Sequence, residues 1–288
     1  MTWLIVGAEG QLGRSLQEAL KIKNISFQAL THEELDITDL YQVKECVKKS
    51  SSDVIVNTAA YTNVEQAEME STKAFSINEK GARNLAIAAR DLDLKLVHFS
   101  TDYVFSGPKN HPWRITDEVK PLSVYGKSKL SGETAIMEEY SKNSLIVRTA
   151  WLYSPFGKNF YKSILNLAIS SSNPINVVND QFGQPTNAQD LSNLVISALG
   201  NDVPSGIYHG SNSGIATWYD FAIEIFKLAG ADTNRVISIT SKEYKTEASR
   251  PEYSVLDNSK WSEFGVKTLG PWRESVIRAF PAIYESLS

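Results

Sequence analysis

The sequence predicts a doubly wound parallel α/β sheet with a smaller C-terminal lobe. Three observations predict it. Short, nearly unbroken apolar runs alternate with amphipathic stretches through the first half, a glycine-rich turn follows the first run at once, and the rhythm loosens after about residue 150. Unbroken apolar strands flanked by helical patterns belong to a parallel sheet covered on both faces.

Trp3-Leu4-Ile5-Val6, Val54-Ile55-Val56, Leu94-Lys95-Leu96-Val97-His98-Phe99 and Leu145-Ile146-Val147 read as strands, with 25–29 a weaker fifth. Helical patterns lie between them at 12–22, 39–49, 71–90 and 123–140. Residues 1–150 are therefore expected to form the sheet domain. Residues 151–288 are expected to form mainly a substrate-binding lobe over the sheet's carboxyl edge, with segments of 158–210 returning to the first domain. In the lobe, 159–169, 190–199 and 218–228 read as helices and 175–178 as a strand, with Pro251 and Pro271 as punctuation.

The 288 residues are 42% hydrophobic and 22% charged, enough apolar material for a large core. A net charge of −4 with no lysine- or arginine-rich stripe argues against a nucleic-acid partner. One cysteine, Cys46, excludes an internal disulfide and a multi-cysteine metal site, and fits a reducing compartment. Cys46 reads as a buried filler in a helix. No window has the length of a membrane span and no basic-then-apolar leader opens the chain, so a cytoplasmic protein is expected.

Gly7-Ala8-Glu9-Gly10-Gln11-Leu12-Gly13 follows the first strand and opens the first helix. Such a turn lets the backbone approach a diphosphate, and the helix end presents free N–H groups to it. Three glycines also mark a plain strand-to-helix turn, but their position at the head of an α/β chain favours a dinucleotide. At the end of the second strand Leu30-Thr31-His32 offers no carboxylate for a ribose 2′-hydroxyl, although Glu33 and Glu34 follow. Thr31 and His32 can donate to a phosphate, which favours NADPH and leaves NADH open; His32 also reads as a surface-loop histidine. Asp36-Ile37 is placed to meet the adenine.

Tyr125 and Lys129 are four positions apart and share one helix face. An ammonium beside a phenol favours phenolate, so Lys129 is expected to lower the Tyr125 pKa from its ordinary ~10. A phenol tuned in this way exchanges a proton with a carbonyl oxygen during hydride transfer. Ser100-Thr101-Asp102 ends the strand before that helix, at the carboxyl edge where ligands of this fold bind. The Thr101 hydroxyl is placed to fix the carbonyl; a strand-capping turn is the plainer reading of the same residues.

With these pieces in this order the chain resembles the dTDP-4-dehydrorhamnose reductases, in the Rossmann-type extended short-chain dehydrogenase/reductase superfamily. The matching runs are 7–13, Asp36-Ile37-Thr38-Asp39, 53–62, Asn78, Ser100-Thr101-Asp102-Tyr103-Val104-Phe105, 125–129 with Gly132-Glu133, 148–151, Asn159-Phe160, 180–186 and Ser249-Arg250-Pro251. The resemblance implies NAD(P)H-dependent reduction of the 4-keto group of dTDP-4-dehydro-L-rhamnose. It implies Thr101, Tyr125 and Lys129 as catalytic residues, and Gly10, Gln11, Leu12, Asp36, Ile37, Ala60, Tyr61 and Thr62 along the cofactor. Asp102 and Trp151 would face the sugar, with the thymidine end further into the lobe. Some relatives dimerise around Mg²⁺ held by glutamates; Gln189 stands where such a glutamate is expected, so no metal is expected here.

A nucleotide-sugar epimerase or dehydratase on the same scaffold is the first alternative. Asp102-Tyr103 does not resemble the dehydratase Asp-Glu pair. The second is a non-catalytic NADP-binding regulatory subunit, against which stand Thr101, Tyr125 and Lys129. Monomer and homodimer both remain open.

Overall fold

In the computed structural model, which describes residues 1–107, 109 and 111–287, strand and helix alternate through the first half as the apolar runs predict. In order come β1 (Trp3–Val6), α1 (Gln11–Ile22), β2 (Phe27–Leu30), α2 (Leu40–Ser50), β3 (Val54–Asn57), α3 (Val64–Met69), α4 (Ser71–Phe75), α5 (Ala82–Asp91), β4 (Lys95–Thr101), α6 (Val124–Tyr140) and β5 (Ser144–Thr149). There follow β6 (Leu152–Tyr153), α7 (Phe160–Ser170), β7 (Ile175–Val178), β8 (Phe182–Gly183), β9 (Thr186–Asn187), α8 (Ala188–Gly200), β10 (Gly206–His209), β11 (Ala216–Thr217), α9 (Trp218–Leu228), β12 (Val236–Ile239) and α10 (Trp272–Glu285).

Six strands form one parallel sheet in the order β2-β1-β3-β4-β5-β10. Helices α1 and α8 cover one face over Leu16, Leu20, Leu191 and Val195, and α2, α5 and α6 cover the other over Val43, Leu85 and Ile136. The strand order reverses between β1 and β3, so their carboxyl ends open a crevice at a topological switch point. In the lobe, α7, α9 and α10 pack around Tyr161, Leu165, Phe221, Phe226 and Trp272, beside the β7–β12 pair. Within 158–210, α8 and β10 lie on the large sheet while α7 packs in the lobe. Trp261 and Val266, further along the chain, also join the sheet core.

The single helix expected over 71–90 is interrupted. Ser76–Gly81 winds as a π-helical turn between α4 and α5. The cause is Asn78, whose Oδ1 accepts the Tyr61 N–H at 2.8 Å and whose Nδ2 donates to Tyr61 O and to Ser128 Oγ at 3.1 and 2.9 Å. The widened turn brings the Asn78 carbonyl against Gly132 of α6, where a Cβ would stand 2.2 Å from it. Tertiary contacts of this kind are invisible to helical periodicity.

Helix α6 is held hard against the sheet. Ser123 caps its first turn by accepting the Gly126 N–H, and Glu68 of α3 accepts the Val124 N–H. Gly126 allows the Tyr103 carbonyl to approach, since a Cβ there would come within 2.4 Å of it. One turn past Lys129, Glu133 makes a two-point ion pair with Arg148 of β5, at 2.9 Å to Nε and 2.7 Å to Nη2. Both side chains are buried, at 2% and 3% exposure. Removing one charge of such a pair strands the other in a dry environment. Glu133→Gln should therefore lower unfolding free energy by about 3–5 kcal/mol in urea titration; a loss under about 1 kcal/mol would show that the pair does not anchor the helix.

Candidate active site

The turn after β1 divides its three glycines by task. Gly7 has φ +84°, and a Cβ there would lie 2.5 Å from the Ala59 nitrogen, so both backbone and neighbours require glycine. A Cβ at Gly13 would stand 2.4 Å from the Gly7 carbonyl, so that residue lets α1 pack on the turn. Gly10 is different. A Cβ there would meet the Gly7 carbonyl at 3.3 Å and nothing else within 4 Å, leaving the space beside it free for a ligand. Gly10 is also the N-cap of α1 with no side-chain cap, so the first N–H groups of the helix stay available to an anion. A diphosphate fits this cradle.

A cavity of about 620 Å³ opens at the carboxyl edge. Among its lining residues are Gly10, Gln11, Leu12, Ala60 and Thr62, together with Thr101, Asp102, Tyr125, Lys129 and Trp151. A second cavity, of 550 Å³, is bordered by Gly7, His32, Asp36, Ile37 and Ala60. Thr31 borders a third, of 330 Å³, with Arg14 and Lys21 but also Glu9 and Glu18. Just past β2, Glu34 Oε2 accepts the Thr31 N–H at 2.8 Å. The Tyr61 hydroxyl donates to Glu70 at 3.0 Å, and Lys73 lies over its ring.

Tyr125 stands in the first turn of α6, edge-on to Tyr103 with ring centroids 5.6 Å apart. Lys129, one turn on, is 2% exposed and donates to the Phe99 carbonyl at 2.6 Å. Burial lowers its pKa to about 8, against a weaker pull from Glu133. The tuning expected for Tyr125 is reversed here. Desolvation holds its phenol well above the ordinary value, opposed by Thr101 and assisted by Asp102 and Tyr103. Lys129 makes its hydrogen-bond contacts with Phe99 and His98 on the strand behind it.

Asp102 is 2% exposed; its Oδ1 accepts the Thr101 hydroxyl at 3.0 Å, while Oδ2 lacks a partner. Desolvation raises its pKa to about 6. Trp151 adopts φ +44° and stacks on Trp218, with centroids 3.6 Å apart and planes 9° apart. Gly183 makes room for it, since a Cβ there would fall 2.4 Å from the indole. Sequence reasoning missed Trp218 and Phe160 as cavity residues, because both read as core positions of amphipathic helices. It also gave Arg250 no role. Arg250 pairs with Glu65 of α3, whose carboxylate accepts the Glu247 and Ala248 N–H groups as well, tying the C-terminal segment to the sheet domain.

Gly7→Ala should destabilise the fold by at least about 1–2 kcal/mol from its backbone conformation alone. Gly10→Ala should instead leave the melting temperature near wild type and weaken dinucleotide binding about tenfold, ~1.4 kcal/mol by titration calorimetry; equal behaviour of the two variants would contradict this division. Because its pKa is raised, Asp102 binds a proton more readily in the folded protein than in the unfolded chain. Its contribution is complete below the ordinary carboxylate range and is lost as pH rises through about 6. Asp102→Asn should remove that dependence, gaining roughly 3 kcal/mol relative to wild type across this window; parallel stability curves would refute it.

Comparison with known proteins points the same way as the geometry. The dTDP-4-dehydrorhamnose reductase of Streptomyces griseus is 41% identical over 285 residues, covering 98% of this chain and 93% of that protein. A crystal structure of a dTDP-4-dehydrorhamnose reductase from Clostridium acetobutylicum superposes with TM-score 0.94 at 39% identity, covering 99% of this chain and 100% of the other. A dTDP-4-dehydrorhamnose reductase from Bacillus anthracis, solved in complex with NADP, superposes with TM-score 0.93 at 36% identity, covering 97% and 98%. The profile of the RmlD substrate binding domain family matches residues 1–284, and the chain belongs to that family.

Proposed function

We propose that this protein is an NADPH-dependent reductase that converts the 4-keto group of dTDP-4-dehydro-L-rhamnose into the alcohol of dTDP-L-rhamnose, for polysaccharide biosynthesis. The observation that carries this reading is one cavity bordered both by the glycine cradle and by Thr101, Tyr125 and Lys129. The names of relatives at about 40% identity supply the sugar, and the Bacillus anthracis complex supplies the cofactor. The reaction is assigned to the cytoplasm and to a monomer or homodimer; among the described residues no helix is long and apolar enough to cross a membrane.

Gly7, Gly10, Gln11 and Leu12 hold the diphosphate of NADPH, Asp36, Ile37 and Ala60 its adenine end, and Thr31 its ribose phosphate, with Tyr61 and Thr62 beside the loop. When bound, the cofactor supplies the hydride for the carbonyl carbon. Tyr125 gives its phenolic proton to the carbonyl oxygen, and its raised pKa keeps it protonated until negative charge develops there. The Thr101 hydroxyl, turned from Asp102 to the substrate, donates to the same oxygen and orients it. Lys129 binds the ribose hydroxyls and, on taking up a proton, offsets the charge left on the phenolate. Asp102 and the Trp151 ring face the sugar from the cavity wall.

Tyr125→Phe removes the proton donor and keeps the ring. Turnover should fall by about 10² to 10⁴ in steady-state assays, while NADPH affinity by fluorescence titration stays close to wild type. Undiminished turnover would remove Tyr125 from the role.

A further inference from the structure

The buried end of Lys129 rests on a hydrogen-bond chain that the mechanism leaves unused. Asn57 closes β3, and His98 stands in register with it on β4. Both are buried. Asn57 Oδ1 accepts the Ala59 backbone N–H at 3.0 Å. That bond fixes the amide, because a flipped Asn57 would set its NH₂ against another donor. The amide nitrogen therefore faces His98 Nδ1, 3.0 Å away. An amide NH₂ only donates, so Nδ1 accepts and carries no proton. Burial and the nearby Lys129 hold His98 well below its ordinary pKa, so the ring is neutral and its one proton sits on Nε2. Nε2 lies 3.3 Å from Lys129 Nζ. An ammonium has three donors and no lone pair, and cannot accept there; a neutral amine can, and still has hydrogens to give the Phe99 carbonyl.

We propose that His98, locked by Asn57 as its Nε2–H tautomer, is a positioning residue for the keto reduction, hydrogen-bonding the neutral amine of Lys129 and disfavouring its ammonium. The inference rests on the reading of Lys129 and Tyr125 given above. Charging Lys129 breaks the bond from Nε2–H and sets donor against donor, inside a site that desolvation already makes unfavourable to charge. Amine and ammonium thereby come close in free energy near neutral pH. A lysine poised in this way exchanges its proton under the conditions in which Tyr125 must regain the one it gives away.

The charges around Lys129 leave this balance intact. Glu133, on the same helix, favours the ammonium but is itself bound to Arg148 of β5. Glu68 of α3 is engaged at the Val124 N–H, Lys73 of α4 lies by Glu70, and Arg83 of α5 pairs with Glu138 and Glu139. Asp102, Tyr103 and Tyr125 line the same cavity as Lys129.

The test is a long-range ¹H–¹⁵N spectrum of the whole protein with labelled histidine, His98 being assigned through His98→Gln. His98 should show an unprotonated Nδ1 and a protonated Nε2 throughout the neutral range. An Nδ1–H tautomer, or an imidazolium, would overturn the proposal. In His98→Gln the amide can turn its oxygen to an ammonium, so the Lys129 titration, followed by the ¹³Cε shift of labelled lysine, should move up by about one pH unit, a tenfold change in proton affinity. An unmoved titration would likewise overturn it. If the variant fails to fold, the wild-type tautomer decides the matter, with assignment by the four histidines' contacts to labelled neighbours. Neither spectrum requires turnover, so a failed reductase assignment would leave both readouts standing.

Discussion

A lysine buried beneath the carboxyl ends of the central strands is the constraint on which the rest of the site depends. Lys129 is 2% exposed, and a buried amine without partners is costly. Its partners, the Phe99 carbonyl and His98, belong to β4, so α6 must lie close to that strand. Glycines at 126 and 132 permit the approach, the Asn78 carbonyl fills the space the second one leaves, and Glu133 locks the helix to Arg148. Once Lys129 is fixed, helical geometry carries Tyr125 one turn back to the cleft, where Thr101 ends β4.

The switch point does the complementary work. Reversal of strand order between β1 and β3 opens the crevice, and residues 9–12 of the turn after β1 line the cavity there. Residues 10–12 and Thr101, Tyr125 and Lys129 therefore line one cavity although they lie far apart in sequence. The lobe completes the enclosure with aromatic rings: Trp151, held in a left-handed backbone conformation, is braced by Trp218, and Phe160 packs on the same indole of Trp218.

Much of this was legible in the chain because it is written in local pattern. Unbroken apolar runs identify buried parallel strands, and the 7–13 turn and the Tyr125/Lys129 spacing identify the ends of the crevice. What depends on contacts between distant segments was not legible. The π-helical turn exists for Asn78's bonds to Tyr61 and Ser128, which no periodicity encodes. Tyr61 turns to Glu70, a carboxylate within reach at the junction of α3 and α4. The phenol of Tyr125 is governed by desolvation, whereas spacing alone emphasised the ammonium four residues away. His98 looked like one more residue of a strand. Its meaning comes from the amide across the ladder.

The central claim is that a hydride from NADPH ends on the sugar carbon that carried the keto group. Incubation with dTDP-4-dehydro-L-rhamnose and NADPH dideuterated at nicotinamide C4, followed by mass spectrometry and ²H NMR of the product, reads that transfer directly. The account predicts one deuterium per product molecule, located at the sugar's C4, with one equivalent of NADP⁺ formed. A product without the label, or a sugar returned unreduced while the dinucleotide stays bound, would contradict it.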